Sequence, residues 1–109
     1  MKNTTRPKVT SPERIQECTD EAIVDAYGME EQLTGFYTVI TDFVECPFKA
    51  KVIGEVVEIT GFDFDESDLG FNALCKYKGK IYPINILSVE WIEPYPEGFE
   101  WIEAYFEWL

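Results

Sequence analysis

Along the first 45 residues, apolar side chains recur about every three to four positions, a spacing that predicts helices. Ser11 and Pro12 mark the first start, because serine caps a helix N-terminus and proline fits its first turn. The apolar stripe of this helix is Ile15, Cys18, Ala22 and Ile23. Gly28 ends or interrupts it, and a second helix is predicted from Met29 to Phe43. The apolar face of that helix is Leu33, Phe36, Tyr37, Ile40 and Val44.

From Cys46 onward the apolar period falls to two, which predicts strands with one buried face. Gly61 is predicted to end the second strand, and Lys78-Gly79 is predicted to form a tight hairpin turn. Pro83 has no N–H group, so its strand is predicted at a sheet edge or at a bulge. The predicted inward residues are Phe48, Ala50, Val52, Val57, Ile59, Phe71, Ala73, Cys75 and Tyr77.

Residues Phe99 to Leu109 return to helical spacing and predict a C-terminal helix. Its carboxylates Glu100, Glu103 and Glu107 are predicted to form an exposed acidic stripe. The order of elements is therefore two helices, a group of short strands and a final helix. This order predicts an α+β fold in which the N-terminal helices pack on a small antiparallel sheet or barrel.

The composition predicts one folded domain. The 109 residues are 46% hydrophobic and 16% aromatic, which is enough to form a core without disulfides. We expect a flexible basic arm at residues 1–10 and a single domain at 11–109. No apolar run approaches the roughly 20 residues that span a membrane, and the polar N-terminus does not resemble a secretory signal. A cytoplasmic protein is therefore expected.

Charge limits the partners of this chain. There are 21 acids, nine bases and no histidine, which gives a net charge of −12. Such a surface repels nucleic acid and anionic membrane, so cations, metals or proteins are the expected partners. Without histidine the chain lacks the commonest general base, and it has no Gly-rich phosphate loop. We therefore expect no enzymatic activity.

The first candidate metal site consists of Asp42 and Glu45, where the second helix should end and the first strand should begin. Carboxylates are unfavourable at a helix C-terminus, because that end already carries partial negative charge. The same end offers backbone carbonyls without helical partners. Calcium binds carboxylate and carbonyl oxygens together. The competing interpretation is a solvated helix end without a metal.

The second candidate site is an acidic segment before Gly70, predicted to be a loop. Its acids are Asp63, Asp65, Glu66 and Asp68. Carboxylates at alternate positions can turn toward one cation, as at the start of an EF-hand loop. The EF-hand pattern itself fails, because Asp68 stands where glycine is required and Leu74 stands where glutamate is required. The competing interpretation is a solvated connection between strands.

Several stretches resemble the CcbP-type calcium-binding proteins of cyanobacteria and other bacteria. They are the IVDAYG-x-EEQ run at residues 23–32, the CPF run at residues 46–48 and the strand pair around Lys78-Gly79. The resemblance implies a cytoplasmic protein with helices packed on a small SH3-like sheet, binding calcium through acidic side chains. It associates the metal with acids shortly before Pro-Phe, which Asp42 and Glu45 match, and acids in the loop of the second candidate site are also family-like.

We therefore expect a calcium-binding protein without EF-hands that acts as a cytoplasmic calcium buffer or sensor. The alternative is a protein-interaction module with an SH3-like sheet, or an acidic decoy that imitates nucleic acid for a basic partner. The tail favours this alternative, since residues 87–109 hold six acids, three tryptophans and no base.

Overall fold

The computed structural model describes residues 8–65 and 70–109. Contacts group the described chain into two compact units. The helical unit comprises residues 8–44 and 97–109, and the sheet unit comprises residues 45–96. The prediction of a single domain at 11–109, after a basic arm at 1–10, stays a prediction.

The helical unit contains α1 (Pro12–Ala22), α2 (Met29–Phe43) and α3 (Phe99–Trp108). The predicted cap of α1 is confirmed, because the Ser11 hydroxyl accepts a hydrogen bond from the Arg14 amide at 3.2 Å. The second helix has its predicted bounds. Gly35 of α2 permits close approach of the end of α1, since a Cβ atom there would lie 2.0 Å from the Ala22 carbonyl oxygen.

The predicted acidic stripe on the C-terminal helix is wrong. Glu103 is buried, at 3% exposure, and Glu100 is half-buried beside Arg14, at 3.4 Å from its guanidinium. Of the three, Glu107 is exposed as predicted. The reason is that all residues from Trp101 to Phe106 are buried, so this helix has no wide polar face. A periodicity rule that assumes one buried face fails for such a helix.

The sheet unit is one five-stranded antiparallel sheet in the order β4-β3-β2-β1-β5. Its strands are β1 (Phe48–Val52), β2 (Glu55–Asp65), β3 (Gly70–Tyr77), β4 (Lys80–Asn85) and β5 (Glu90–Trp91). A short 3₁₀ helix, Ile86–Ser88, joins the last two strands. The buried residues at the predicted inward positions include Phe48, Ala50, Val57, Ile59, Phe71, Ala73 and Cys75. The inward alternation is therefore confirmed for most of these strands.

Strand β2 continues past Gly61, where the sequence predicted its end. The pairing of β2 with β3 shifts register between Ile59 and Gly61, so a bulge takes up the glycine and the strand resumes. Phe62 is then buried while Asp63 is exposed. The predicted acidic loop is thus strand up to Asp65, and residues 66–69 lie outside the described part of the chain.

Two-residue turns connect β1 to β2 and β3 to β4. Ile53-Gly54 has φ values of 50° and 76°, and Lys78-Gly79 has φ values of 50° and 81°. Positive φ at both positions is the conformation of a type I′ hairpin, which confirms the predicted turn at Lys78-Gly79. Pro83 lies on β4, the edge strand of the sheet, as predicted.

The predicted α+β class is confirmed, with three helices and an open antiparallel sheet among the described residues. Of the helices in residues 8–65 and 70–109, none is long and apolar enough to cross a membrane.

Candidate metal centre

Asp42 lies in the last turn of α2, where its side chain is exposed. That turn contains no basic residue, so α2 itself supplies no lysine or arginine to compensate its negative end. The Asp42 carboxylate makes no hydrogen bond or ion pair with another described residue. Its oxygens are therefore open to a cation from solution.

Glu45 follows the C-cap residue Val44 and is also exposed. It belongs to the sheet unit, whereas Asp42 belongs to the helical unit. The Glu45 carboxylate likewise makes no hydrogen bond or ion pair with the rest of the described chain. The joint action of these two acids on one ion stays a prediction from their spacing in the sequence.

Asp63 and Asp65 lie at the end of β2, two positions apart, and so project from the same face of the strand. Asp63 is exposed and Asp65 is half-buried. Glu66 and Asp68, the other acids predicted for this site, lie outside the described residues. The structure therefore brings two of the four predicted carboxylates onto one face of a strand.

Asn72 is an oxygen donor that the sequence analysis missed. It lies directly opposite Asp63 in the pairing of β2 with β3. Side chains opposite one another in an antiparallel pair have Cβ atoms about 4.5–5.5 Å apart, and a side-chain amide oxygen is a calcium ligand. A residue in a loop has no opposite strand neighbour, so the loop predicted before Gly70 left Asp63 without one. The Phe-Asp-Phe-Asp alternation of residues 62–65 was the signal for a longer strand.

The donor chemistry of these residues fits calcium, which takes oxygen ligands. Among residues 8–65 and 70–109, however, no three His, Cys, Asp or Glu side chains lie close enough together to hold a metal. An ion bound by described residues would need other oxygens besides carboxylates. Backbone carbonyls, amides such as that of Asn72 and water are all accepted in calcium sites.

The cysteines add no metal-binding thiolate. All three are free, with Cys18 and Cys75 buried and Cys46 exposed. Burial raises the pKa of the Cys18 thiol to about 11 and also raises the pKa of the Cys75 thiol, and partial desolvation of the sulfur raises the pKa of Cys46 although that residue as a whole is exposed. These thiols therefore stay protonated near neutral pH, and the thiolate is the form that binds metals.

The sheet unit also has an open apolar groove of about 600 Å³. It is lined mainly by Val52, Ile53, Val57, Tyr77, Tyr82 and Ile84. Its one lining carboxylate, Glu55, already accepts a hydrogen bond from the Tyr77 hydroxyl at 2.8 Å. An apolar lining with a single, already bonded carboxylate does not suit calcium, so this groove is distinct from the candidate metal sites.

The CcbP family model, described as calcium binding, matches residues 13–109. The chain belongs to this family. The match confirms the resemblance seen in the sequence and extends it past the strand pair around Lys78-Gly79 and through the C-terminal helix. CcbP is a calcium-binding family and not an enzyme family, and membership identifies calcium as the ion of this chain.

Solved structures agree with this assignment. The crystal structure of Anabaena CcbP matches the chain with a TM-score of 0.75 at 24% identity, over 94% of each chain. A calcium-binding protein in its calcium-binding form matches with a TM-score of 0.70, also at 24% identity and over 94% of each chain. At this identity the two structures establish the CcbP fold and not the ligand residues. No curated protein sequence matches the chain.

Proposed function

We propose that this CcbP-family protein is a cytoplasmic calcium buffer or sensor, without enzymatic activity, that holds calcium at two places. The first place is the end of α2, with Asp42 and Glu45 as ligands. The second is the end of β2 and the residues that follow, with ligands Asp63, Asp65, Glu66 and Asp68, of which Glu66 and Asp68 lie outside the described residues. The free cysteines support a reducing, cytoplasmic location.

The observation that carries the first site is the exposed carboxylate of Asp42, which has no partner among residues 8–65 and 70–109 and lies in a last helical turn without a base. A helix C-terminus behaves as roughly half a negative charge, so Asp42 adds repulsion there. A divalent cation turns this repulsion into attraction. Glu45, three residues further along the chain, adds a second carboxylate.

The second site is supported by oxygen donors that share one face at the end of β2. Asp63 and Asp65 project from the same side of the strand, and Asn72 lies opposite Asp63. These are carboxylate and amide oxygens, which calcium accepts in a flexible geometry. The strand holds the first ligands in place, and the acids after Asp65 can complete the coordination.

Calorimetric titration of chelator-treated protein with calcium tests both sites. A charge-dense site without an EF-hand should bind in the range of roughly 10⁻⁶–10⁻³ M. Asp42→Asn and Asp63→Asn should each weaken binding at their own site by about tenfold or more, or about 1.4 kcal/mol. Each variant removes one charge and keeps the size of the side chain.

Matched controls separate a site from diffuse charge. Glu21→Gln removes an exposed carboxylate from the last turn of α1, which also lacks a base, and Glu58→Gln removes a half-buried carboxylate from β2 itself. Both should leave calcium affinity nearly unchanged. If the controls weaken binding as much as Asp42→Asn and Asp63→Asn, diffuse charge attracts the ion and the proposed sites are wrong.

Tryptophan fluorescence distinguishes a sensor from a buffer. Trp91 lies in the sheet unit, and Trp101 lies in the helical unit, so each reports on one unit. A sensor should change the emission of at least one of them on calcium binding, because calcium changes its conformation. Single Trp→Phe variants assign the change to a unit. Emission that stays constant while calorimetry shows binding would identify a buffer.

A further inference from the structure

The connection between α1 and α2, together with the first residue of α2, carries three large apolar side chains in solvent. Val24 is 62% exposed, Tyr27 is 87% exposed and Met29 is 72% exposed. We call these three residues the apolar tip. Single exposed apolar residues are common on protein surfaces, whereas large exposed apolar side chains concentrated in one short segment are typical of an interaction site.

The backbone of the apolar tip is well ordered by hydrogen bonds. The Ala26 amide donates to the Ile23 carbonyl at 3.0 Å, and the Tyr27 amide donates to the Glu31 carboxylate at 2.7 Å. The Gln32 amide then donates to the Gly28 carbonyl at 2.9 Å, which begins α2. A surface that is already ordered loses little conformational entropy when a partner binds.

The charge around the apolar tip indicates which partner fits. Residues 15–48 contain no lysine or arginine. The acids that flank the tip are all exposed, and they are Asp20, Glu21, Asp25, Glu30 and Glu31. An apolar centre with a charged rim is the anatomy of a protein interface, and tyrosine is a frequent anchor at its centre. A rim of one sign favours a partner of the opposite sign.

The apolar groove of the sheet unit gives no such preference. Its carboxylate, Glu55, accepts a hydrogen bond from Tyr77, and the ammonium of Lys78 lies 5.3 Å from the centre of the Tyr77 ring. Charges of both signs therefore surround the groove. The charge around the apolar tip has one sign and therefore indicates the charge of a partner more clearly.

We propose that the apolar tip docks a basic, amphipathic segment of a partner protein. Tyr27 enters an apolar site on the partner, with Val24 and Met29 on either side of it. The flanking carboxylates pair with lysine or arginine at the edge of the contact. Calcium sites take no part in this contact, so docking is expected in chelator as well.

Fluorescence anisotropy with a labelled amphipathic helical peptide of leucine and lysine tests the proposal in chelator. The triple variant V24S/Y27S/M29S keeps every charge, so any loss of affinity reports the apolar contact. We expect its Kd to rise by about tenfold or more relative to the natural chain, or about 1.4 kcal/mol. All three positions are exposed, and urea unfolding checks that the variant remains folded.

Two controls decide the outcome. Ile53 is 92% exposed in the sheet unit, and Ile53→Ser should leave the Kd nearly unchanged. A peptide in which serine replaces leucine should bind weakly and equally to the natural chain and the triple variant. The proposal fails if the triple variant binds the leucine–lysine peptide as tightly as the natural chain, or if Ile53→Ser weakens binding equally.

Discussion

At the scale of single residues, Glu103 is a buried carboxylate of α3 that forms hydrogen bonds with the segment before α1. It accepts hydrogen bonds from the amides of Val9 at 2.9 Å and Thr10 at 3.3 Å, and a third from the Thr10 hydroxyl. Burying a carboxylate costs several kcal/mol unless hydrogen bonds replace its hydration. These three donors supply that replacement.

Glu103→Ala should therefore lower the free energy of unfolding by about 2–4 kcal/mol, because it leaves two amides without an acceptor and removes charge-assisted hydrogen bonds. Glu103→Gln should lose less, since its amide oxygen still accepts. Urea denaturation measures both. Glu107→Ala is the control, because Glu107 is exposed on the same helix and a surface change usually stays within about 0.5 kcal/mol. Equal losses at Glu103 and Glu107 would contradict a role for these hydrogen bonds.

The sequence could not distinguish Glu103 from its neighbours on the C-terminal helix. Glu100, Glu103 and Glu107 have the spacing of one helical face, and in isolation each is a polar position. The three glutamates differ in their tertiary contacts. Glu103 meets the amides of Val9 and Thr10, and Glu100 meets Arg14, whereas Glu107 remains exposed. Local periodicity carries no information on such partners, which lie more than 80 residues away in the chain.

At the scale of elements, α3 is held in the helical unit by aromatic contacts. Trp101 stacks on Phe43 with ring centroids 5.0 Å apart, and Tyr105 meets Phe36 edge-on at 5.6 Å. The indole N–H of Trp108 donates to Gln32 at 3.0 Å. Aromatic pairs of this kind contribute about 0.5–1.5 kcal/mol each beyond their buried area. The last helix is therefore an integral part of this unit, although the sequence resemblance ended before it.

The start of α3 depends on Gly98. Its φ is +87°, and a Cβ atom there would lie 2.0 Å from the Phe43 carbonyl oxygen. Alanine at position 98 would therefore adopt an unfavourable backbone conformation, which costs about 1–2 kcal/mol. Its Cβ atom would also collide with the backbone of Phe43. We expect the free energy of unfolding of Gly98→Ala to fall by more than about 3 kcal/mol.

Gly79→Ala provides the matched control for Gly98. Its φ is +81°, but nothing lies within 4 Å of the added Cβ atom. It should therefore show the conformational cost alone, about 1–2 kcal/mol. Chemical denaturation of both variants measures the difference. Equal losses would mean that the neighbourhood of Phe43 yields to the extra methyl group.

The elements were predictable where one periodicity applies without interruption. Helix α2 was predicted with its observed bounds, since its apolar stripe is regular and Gly28 precedes it. Strand β2 was predicted too short, because a glycine that marks a turn elsewhere occupies a bulge at Gly61. That error also placed Asp63 in a loop and concealed Asn72 opposite it. The sequence therefore indicated the acids of the candidate site but not their arrangement, which depends on strand register.

At the scale of the whole molecule, negative charge is distributed unevenly between the two units. The helical unit holds twelve acids against two bases, whereas residues 45–96 hold nine acids against five lysines. Like charges at this density repel one another and oppose the compact state. A divalent cation bound to the folded chain relieves part of this repulsion. Calcium binding should therefore also stabilise the folded protein.

Removing calcium with a chelator and then adding it back measures this coupling between calcium binding and stability. Binding to the folded state alone adds about 2.7 kcal/mol per site at a hundredfold excess of calcium over Kd, so the melting temperature should rise with calcium concentration. Sodium chloride at matched ionic strength screens charge without occupying a site and should raise it much less. Magnesium keeps its water and prefers octahedral geometry, so its effect should lie below that of calcium. Equal stabilisation by all three salts would show that screening of the −12 charge, and not a calcium site, stabilises the fold. If the stabilisation is specific to calcium, Asp42→Asn should lose more of the calcium-dependent rise in melting temperature than Glu21→Gln does. That difference would tie the stabilisation of the whole molecule to the end of α2.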